Sequence, residues 1–422
     1  MTPDWNPDME ELNKRRVERH MRRQQMYVKK RRRKTASMVA VCLLLVAIGA
    51  CVFYLVRQGE NTKPKKNQQA DQSATVVSED ATVIHLVAAG DVNVSDAIVA
   101  SGGPNYEYTE TFKDVAHLLA EGDITVVNFE GNLCGAPYGS SKSAPAELIQ
   151  ALDRCGVDLV QLANSYSIYQ GISGLQATIA GVKDAGMEPL GVYADERAYK
   201  AGKGYTIKEV EGIRIAFVAF TKGMDGMALP PGSENCVNVL YTDYDNNYQK
   251  VDEEKINGIL ANVRKEKPDI TIALLHWGSE FNNTISKSQE RIVKVMQAGG
   301  VDAIIGTHSH YVQQVAFDRE NGKVVAYSLG DFMSDAEKAG SEYSIVLDLE
   351  ITKDNLTGKA KITDCTYTPI FTVNEEGEAL RVVRLREAIR AYENDHLNKV
   401  TAATYEKMRY ALQRVEARVA GE

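Results

Sequence analysis

The chain has 422 residues and a formal net charge of −8, and hydrophobic and charged residues make up 44% and 25% of it. This length leaves room for one large domain with appendages, and the composition is close to the globular average. Wholesale disorder, a collagen-like fibre and a multi-pass membrane protein are therefore excluded. Six cysteines are too few for a disulfide scaffold, and the sequence leaves open whether Cys134, Cys155, Cys236 and Cys365 pair or stay free.

The charge is divided unevenly along the chain. Residues 1–66 contain 16 Lys and Arg against 6 Asp and Glu, a net charge of +10, so residues 67–422 carry −18. Between a basic arm at 1–35 and a polar segment at 57–81 lies an uncharged apolar run of 21 residues, 36–56. At about 1.5 Å per helical residue this run spans about 30 Å, the thickness of one bilayer core. We therefore predict a single transmembrane helix over 36–56.

The flanking charges predict the orientation of this helix. A basic cluster at 29–34 immediately precedes the apolar run, so the positive-inside rule predicts a cytoplasmic N-terminus, a plasma-membrane location and an extracellular C-terminal domain. A cleaved signal peptide is an alternative, although its apolar region is normally shorter. Lipidation at Cys51 is another, although the apolar run continues beyond that residue. We expect the arm to contact anionic lipid headgroups and expect no nucleic-acid partner.

The segment 57–81 is polar without apolar periodicity and is typical of a flexible linker. Beyond it, strand-like and helix-like stretches alternate, which predicts an α/β domain over 82–373. The predicted strands are 83–88, 124–129, 157–162, 270–275 and 303–305, and the predicted helices are 111–121, 146–155, 175–185, 253–266 and 289–298. Hairpin signals at 211–212 and 320–322 make the predicted sheets mixed. Helical spacing over 378–397 and 401–420 predicts a C-terminal helical extension over 374–422.

Residues that can bind metals follow several predicted strands. Asp91 and Glu130 follow the first two, whereas His276, His308 and His310 follow later ones. Open α/β sheets place their sites at these strand ends. Three of only seven histidines lie here, while His85, inside a predicted strand, is assigned to the core. Carboxylates and imidazoles together suit a hard-to-borderline divalent metal.

The succession of motifs carries a resemblance to a known family. The motifs are GDVNVSD at 90–96, ITVVNFEGNL at 124–133, GVDLVQLANSYSIYQGISGLQAT at 156–178, LLHWGSEF at 274–281, GVDAIIGTHSHYVQQV at 300–315 and YSLGDFMSD at 327–335. Over about residues 82–335 the chain resembles the CapA family of poly-γ-glutamate capsule biosynthesis proteins, within the calcineurin-like metallophosphatase superfamily. The resemblance implies an α/β/β/α sandwich with mixed sheets and a site for one or two divalent ions, Mn, Fe or Zn. It also implies metal-ligand positions, which are Asp91, Glu130, His276, His308 and His310.

One motif departs from the family pattern. Where the family has Ala-Asn-Asn-His, this chain has Ala163, Asn164, Ser165 and Tyr166. In the family the second asparagine ligates a metal and the histidine stabilises or protonates the departing oxygen. Asn164 and Ser165 are possible additional ligands, and Tyr166 is a possible hydrogen-bond donor whose ordinary pKa of about 10 makes it a weak acid. We therefore expect one well-held metal, or a site that is mostly structural.

Two classes of function stay open. The first is a part in the biosynthesis of capsule, poly-γ-glutamate or a related cell-surface polymer, beside a synthesis complex in the membrane. The second is an active metal-dependent hydrolase that cleaves a phosphate, ester or amide bond of a cell-envelope substrate. The charge of −18 on residues 67–422 repels an anionic polymer in general, but salt screens this repulsion beyond about 8 Å. A local cationic site could therefore still hold such a polymer.

Overall fold

The structure, a computed structural model, describes residues 81–336, 338–397 and 399–422. The predicted arm at 1–35 and membrane span at 36–56 lie outside the described residues, as does the linker up to residue 80. None of the helices in the described part of the chain has the length and apolar character needed to cross a bilayer. Asp80–Glu422 form one compact unit.

The strands of the described residues form two mixed sheets. In chain order they are β1 (Ala81–Asn93), β2 (Ile124–Glu130), β3 (Leu159–Gln161), β4 (Glu188–Leu190), β5 (Thr206–Val210), β6 (Ile213–Thr221), β7 (Ile270–His276), β8 (Ala303–Thr307), β9 (Val315–Asp318), β10 (Lys323–Ala326), β11 (Asp331–Met333), β12 (Tyr343–Asp354), β13 (Ala360–Val373) and β14 (Arg381–Arg384). The first sheet has the order β14-β13-β12-β1-β2-β3-β4, with β11 also paired to β1, and the second has the order β5-β6-β7-β8-β10-β9. In the first sheet β1 to β4 are parallel and β12 to β14 extend it antiparallel on one side. In the second sheet a parallel centre is flanked by antiparallel strands on both sides.

Helices connect many of these strands. They are α1 (Asp96–Ser101), α2 (Thr109–Ala120), α3 (Ala146–Arg154), α4 (Gly171–Asp184), α5 (Glu196–Gly202), α6 (Glu253–Glu266), α7 (Lys287–Ala298), α8 (Leu385–Glu393) and α9 (Ala402–Ala420). Helix α6 shows why the local sequence predicts them. Its first turn is capped by the Asp252 side chain, which accepts from the Lys255 N–H, and four apolar residues spaced at helical intervals are buried, namely Ile256, Ile259, Leu260 and Val263.

The two sheets share one hydrophobic core. Alternate residues of β1, Ile84, Leu86 and Ala88, lie in the same buried cluster as Ile215 and Phe217 of β6. Because strand side chains alternate between the two faces, these residues all point into the layer between the sheets. On the other face of the second sheet, α6 and α7 cover a second cluster. The predicted α/β fold with mixed sheets is confirmed.

The C-terminal region differs from its prediction. The helix predicted over 378–397 is wrong over its first part, because Arg381–Arg384 is strand β14, paired antiparallel with β13. Val382 and Val383 are buried there, and β-branched residues favour a half-buried strand over a helix. Helices α8 and α9 contribute Ile389, Met408 and Val415 to the core between the sheets. These helices therefore pack on the domain itself.

His85 is also placed differently from its prediction. It lies in β1, but its side chain is 43% exposed, and its Nδ1 is 3.0 Å from Oδ1 of Asp348 on β12. Its neighbours Ile84 and Leu86 face the core, so alternation along the strand turns His85 to the opposite face. The assignment of His85 to the core was wrong.

The four cysteines of the domain are free thiols. Cys155 and Cys236 are buried, and burial raises the pKa of the Cys155 thiol to about 12. Because the thiolate is the reactive form, Cys155 is chemically inert in the folded domain.

Gly90 marks a close approach of two backbones directly before Asp91. A Cβ at this position would overlap the carbonyl oxygen of Gly330, which as a backbone atom cannot move aside cheaply. We expect Gly90→Ala to lower the free energy of unfolding by about 1–3 kcal/mol, measured by urea denaturation. Gly258 in α6 is the matched control, because a Cβ there meets open space and the change to Ala should stabilise by about 0.5–1 kcal/mol. An unchanged stability of the Gly90→Ala variant would contradict the inferred close contact between the backbones at Gly90 and Gly330.

Candidate metal centre

Strand register brings the candidate residues together. Asp91 on β1 lies opposite Asn128 on β2 and opposite Asp331 on β11. In the second sheet His276, the last residue of β7, pairs with Thr307, the last residue of β8. The carboxyl ends of these parallel strands therefore deliver side chains from both sheets to one place.

Six buried side chains form two adjacent groups in which each member offers one ligand atom. The first, which we call the imidazole group, consists of Glu130, His276 and His308. The second, the carboxylate group, consists of Asp91, His310 and Asp331. Within each group the ligand atoms all lie within 4.8 Å of one another. Two such groups can each offer three oxygen or nitrogen donors to a divalent ion.

Asn128 links the two groups. Its Nδ2 donates to Asp91 Oδ1 over 2.7 Å and to Glu130 Oε1 over 3.3 Å, and it lies 3.4 Å from His276 Nδ1. Asn128 and Glu130 are two residues apart in β2, so both side chains project from the same face of the strand. The amide therefore holds one carboxylate of each group in place.

The histidines are oriented by further contacts. His276 Nδ1 lies 3.1 Å from Thr307 Oγ1, and its Nε2 lies 3.2 Å from Glu130 Oε1. His310 Nδ1 lies 2.8 Å from Asp331 Oδ1. The backbone N–H of His308 donates to Asp91 Oδ2 over 3.0 Å. Such contacts fix the ring orientation and tautomer of metal-binding histidines.

The backbone at both loop histidines is in an unfavourable conformation. His308 has a φ of 90° and His310 a φ of 58°, in the left-handed region that costs a residue with a Cβ of the order of 1–3 kcal/mol. The loop is held by hydrogen bonds from Phe281 N–H to Ser309 O and from Ser309 Oγ to Tyr311 O. These bonds keep two imidazoles aimed at the buried groups in spite of the strain.

The electrostatics of the centre suit a cation. Burial, followed by the charge of Asp331, raises the pKa of Asp91 to about 7, and burial raises the pKa of Glu130 well above its ordinary value. Burial also lowers the pKa of His308 well below its ordinary value, which keeps the ring neutral. Both ring nitrogens of His308 are buried without a hydrogen-bond partner. An unpartnered neutral imidazole among desolvated carboxylates fits a divalent metal, which binds the deprotonated forms of both.

The pKa of His310 shifts in the opposite direction to that of His308. Burial lowers its pKa, but the charge and the hydrogen bond of Asp331 outweigh burial and raise the pKa to about 10. Without a bound cation the imidazolium of His310 therefore offsets part of the negative charge of Asp91 and Asp331. Binding of a metal here requires release of that proton.

The loop after β3 carries the departure from the family motif. Asn164 donates to Phe129 O over 2.7 Å and accepts from Tyr166 N–H over 3.0 Å, so its amide holds the loop. Ser165 Oγ lies 3.1 Å from His276 Nε2 and thus contacts the imidazole group. Tyr166 is partly buried beside the centre, where burial and then the Glu130 carboxylate raise the pKa of its phenol. The phenol therefore stays protonated and can donate a hydrogen bond.

Sequence reasoning found five of the six members of the two groups. It missed Asp331, although this residue lies in the YSLGDFMSD segment, because β11 is only three residues long and shows no strand periodicity. It also missed the role of Asn128. The spacing of Asn128 and Glu130 along one strand was the available signal.

The family model described as bacterial capsule synthesis protein PGA_cap matches residues 85–336, a segment that contains both groups. This chain belongs to the bacterial capsule synthesis protein family. The predicted resemblance to CapA proteins is thereby confirmed.

Two relatives within this family illustrate the degree of similarity. The capsule biosynthesis protein CapA of Bacillus anthracis is 27% identical over 312 residues, which cover 70% of this chain and 68% of that protein. The PGA biosynthesis protein CapA of Bacillus subtilis is 24% identical over 262 residues, which cover 61% of this chain and 63% of that protein. The alignments thus span about two thirds of the length of either relative.

Among solved structures, the calcineurin-like phosphoesterase YfkN from Bacillus subtilis is similar at 16% sequence identity. The alignment covers 81% of this chain and 98% of that chain, with a TM-score of 0.42. A similarity at this level has no bearing on activity.

Proposed function

We propose that this protein takes part in the biosynthesis of capsule, poly-γ-glutamate or a related anionic cell-surface polymer, and that it does so through a partly degenerate metal centre. The observation that carries the proposal is the joining of Asp91, Glu130, His276, His308, His310 and Asp331 in two buried groups within the segment matched by the capsule synthesis family. Burying such a set of ionisable groups is costly unless a ligand compensates them. A bound divalent ion is the natural compensation.

The location proposed for the domain is outside the cell, attached through a single membrane span at 36–56. The basic cluster before that run and the charge difference between the two halves of the chain support this topology. It would place the domain beside membrane-bound polymer synthesis proteins, with the basic arm on anionic lipid at the cytoplasmic face.

A divalent metal bound to these residues would supply Lewis-acid polarisation of a substrate oxygen and activation of water. The protein's own contribution would be to hold the donors, through Asn128 and the strained loop, and to exclude bulk water. Ser165 next to His276 and a neutral Tyr166 phenol favour a centre with reduced hydrolytic power. The alternative, an active hydrolase of a cell-envelope substrate, is favoured by the presence of all three buried imidazoles, His276, His308 and His310.

The experiment is to replace His308 and His310 together with Ala in the full-length protein and to measure surface polymer in cells. We expect polymer to fall to the level of a strain that lacks the protein, because both groups lose a donor. His117→Ala is the matched control, since His117 lies in α2, with its Nδ1 2.9 Å from Glu121 Oε1, and belongs to neither group. Protein levels are compared by immunoblot. Unchanged polymer in the double variant at a normal protein level would refute a role of the centre in polymer synthesis.

A further inference from the structure

Three lysines next to the centre are held over aromatic rings. The Lys142 amine lies 4.5 Å from the centroid of the Tyr166 ring and also donates to Val94 O over 3.2 Å. Tyr166 directly follows Ser165, whose hydroxyl touches His276. This amine therefore stands at the edge of the imidazole group.

Lys222 approaches the same group from the second sheet. Its backbone N–H donates to His276 O over 2.7 Å, and its amine donates to Gly278 O over 3.0 Å. The amine also lies 4.6 Å from the centroid of the Tyr248 ring. Lys222 is thus attached to the strand end that carries His276.

Lys338 stands beside the carboxylate group. Its amine lies 4.3 Å from the centroid of the Phe281 ring, and that ring stacks on His310 at a centroid distance of 4.8 Å. The side chain of Lys338 is exposed. Lys142, Lys222 and Lys338 therefore approach the two groups from three different segments of the chain.

These lysines differ from others of the domain in how they are held. Six lysines of the described residues make ion pairs with carboxylates, namely Lys113, Lys200, Lys208, Lys323, Lys353 and Lys399. An aromatic face attracts an ammonium group through its quadrupole but carries no net charge. It therefore positions the amine without forming an ion pair with it, which leaves the ammonium group able to bind an anion.

Two acidic residues share this side of the molecule. Asp225 and Glu280 are exposed. Burial lowers the pKa of the Lys222 amine, and the charges of Glu280 and Asp225 oppose that shift without cancelling it. The ion pairs that lysines of the described residues make with carboxylates do not include one between these two acids and the three amines. The two acids weaken the local positive potential but do not occupy the amines.

We propose that Lys142, Lys222 and Lys338 form an anion-binding rim around the metal centre, and that this rim binds a chain of carboxylates such as a glutamate oligomer. The inference deepens the proposed function and rests on it for the class of ligand. The net charge of −18 on residues 67–422 repels such a chain over most of the surface. Because salt screens charges beyond about 8 Å, binding depends on cations close to the ligand. Three amines that make no ion pair with a carboxylate of the described residues meet that requirement.

The test measures binding of a fluorescent γ-linked glutamate oligomer to the detergent-solubilised full-length protein. We expect Lys→Gln at positions 142, 222 and 338 together to weaken binding at least tenfold and to reduce its dependence on salt. The matched control is Lys→Gln at positions 113, 200 and 399, which removes the same charge from exposed, ion-paired lysines and should change affinity less than twofold. Equal losses in the two triple variants, or no loss in either, would overturn the rim.

Further variants separate charge from folding. Lys→Arg at the three rim positions keeps charge and ring contact and should retain affinity within about threefold, whereas Asp225→Asn with Glu280→Gln should tighten binding. If the Arg variant binds the oligomer as poorly as the Gln variant, the positive charge of these three residues does not explain binding. An oligomer of phosphate groups that competes as well as the glutamate oligomer would overturn the assignment to carboxylates.

The failure of this inference and of the proposed function can be told apart. If the rim variants bind the oligomer normally while the variant at His308 and His310 still abolishes surface polymer, the rim is wrong and the proposed function stands. If the rim variants lose binding while the histidine variant leaves polymer unchanged, the binding site is correct and the function of the centre in synthesis is wrong.

Discussion

Asp331→Asn is expected to weaken binding of the tighter divalent ion by about 100-fold or more. Replacing a residue that only supports a metal ligand typically weakens metal binding by about 10- to 100-fold. Losing a direct donor should weaken it by at least as much. The carboxylate group offers two buried carboxylates, Asp91 and Asp331, and no motif substitution affects it. The imidazole group, in contrast, has Ser165 at the position of the family's asparagine. We therefore assign the tighter ion to the carboxylate group.

The measurement is a titration of metal-free full-length protein with Mn²⁺, followed by equilibrium dialysis and metal analysis. Asp335→Asn is the control, because it removes the same charge four residues further along without touching either group. His308→Ala should affect only a weaker ion, since His308 belongs to the imidazole group. If Asp331→Asn binds Mn²⁺ like the unchanged protein, or if His308→Ala abolishes the tighter ion, the assignment is wrong.

Tyr166→His is expected to raise hydrolysis of a small phosphodiester by about a hundredfold to ten-thousandfold, the usual contribution of a positioned general acid or base. Burial and the Glu130 carboxylate raise the pKa of the Tyr166 phenol, so it cannot release a proton near neutral pH. An imidazole has an ordinary pKa of about 6.5 and can donate one. The gain requires that the rest of the centre is intact.

Rates are measured with Mn²⁺, Fe²⁺ and Zn²⁺ in separate assays on the full-length protein. Tyr169→His serves as the control, because Tyr169 touches Tyr166 edge to face at 5.7 Å between centroids but is 41% exposed. Adding His308→Ala to the Tyr166→His variant should remove the gain. A rate equal to that of the unchanged protein would mean that the loss of hydrolytic power involves more than one group, with Ser165 as the next residue to replace.

Local patterns in the sequence were sufficient for much of the fold. Helix α6 has the predicted bounds, Glu253–Glu266, because an acidic cap precedes apolar residues at helical spacing. Strands β2 and β7 begin where predicted, because a continuous apolar run of about strand length is buried on both faces. Such signals arise from neighbours along the chain and need no knowledge of the rest of the molecule.

Elements that depend on distant partners were missed or misplaced. Strands β12 and β13 pair with each other and extend the first sheet beside β1, yet their sequences contain many polar residues that face outward. The segment Arg381–Arg384 lies directly before a stretch with helical spacing, and it is a strand because its two valines suit one and β13 offers it an edge. Two valines alone are too short a signal to predict a strand, and pairing with a neighbouring strand decides the outcome.

The candidate site, like the fold, has features that the local sequence predicts and features that depend on distant partners. The residue types of the donors and their position after apolar strands are properties of the sequence, and they pointed to Asp91, Glu130, His276, His308 and His310. The division of these donors into two groups, the entry of Asp331 and the bridging by Asn128 depend on strand register, which long-range packing sets. The positive φ of His308 and His310 likewise persists only because surrounding hydrogen bonds compensate its cost. Chemistry can thus be read from local composition, whereas the distances that make it possible arise when the two sheets pack against each other.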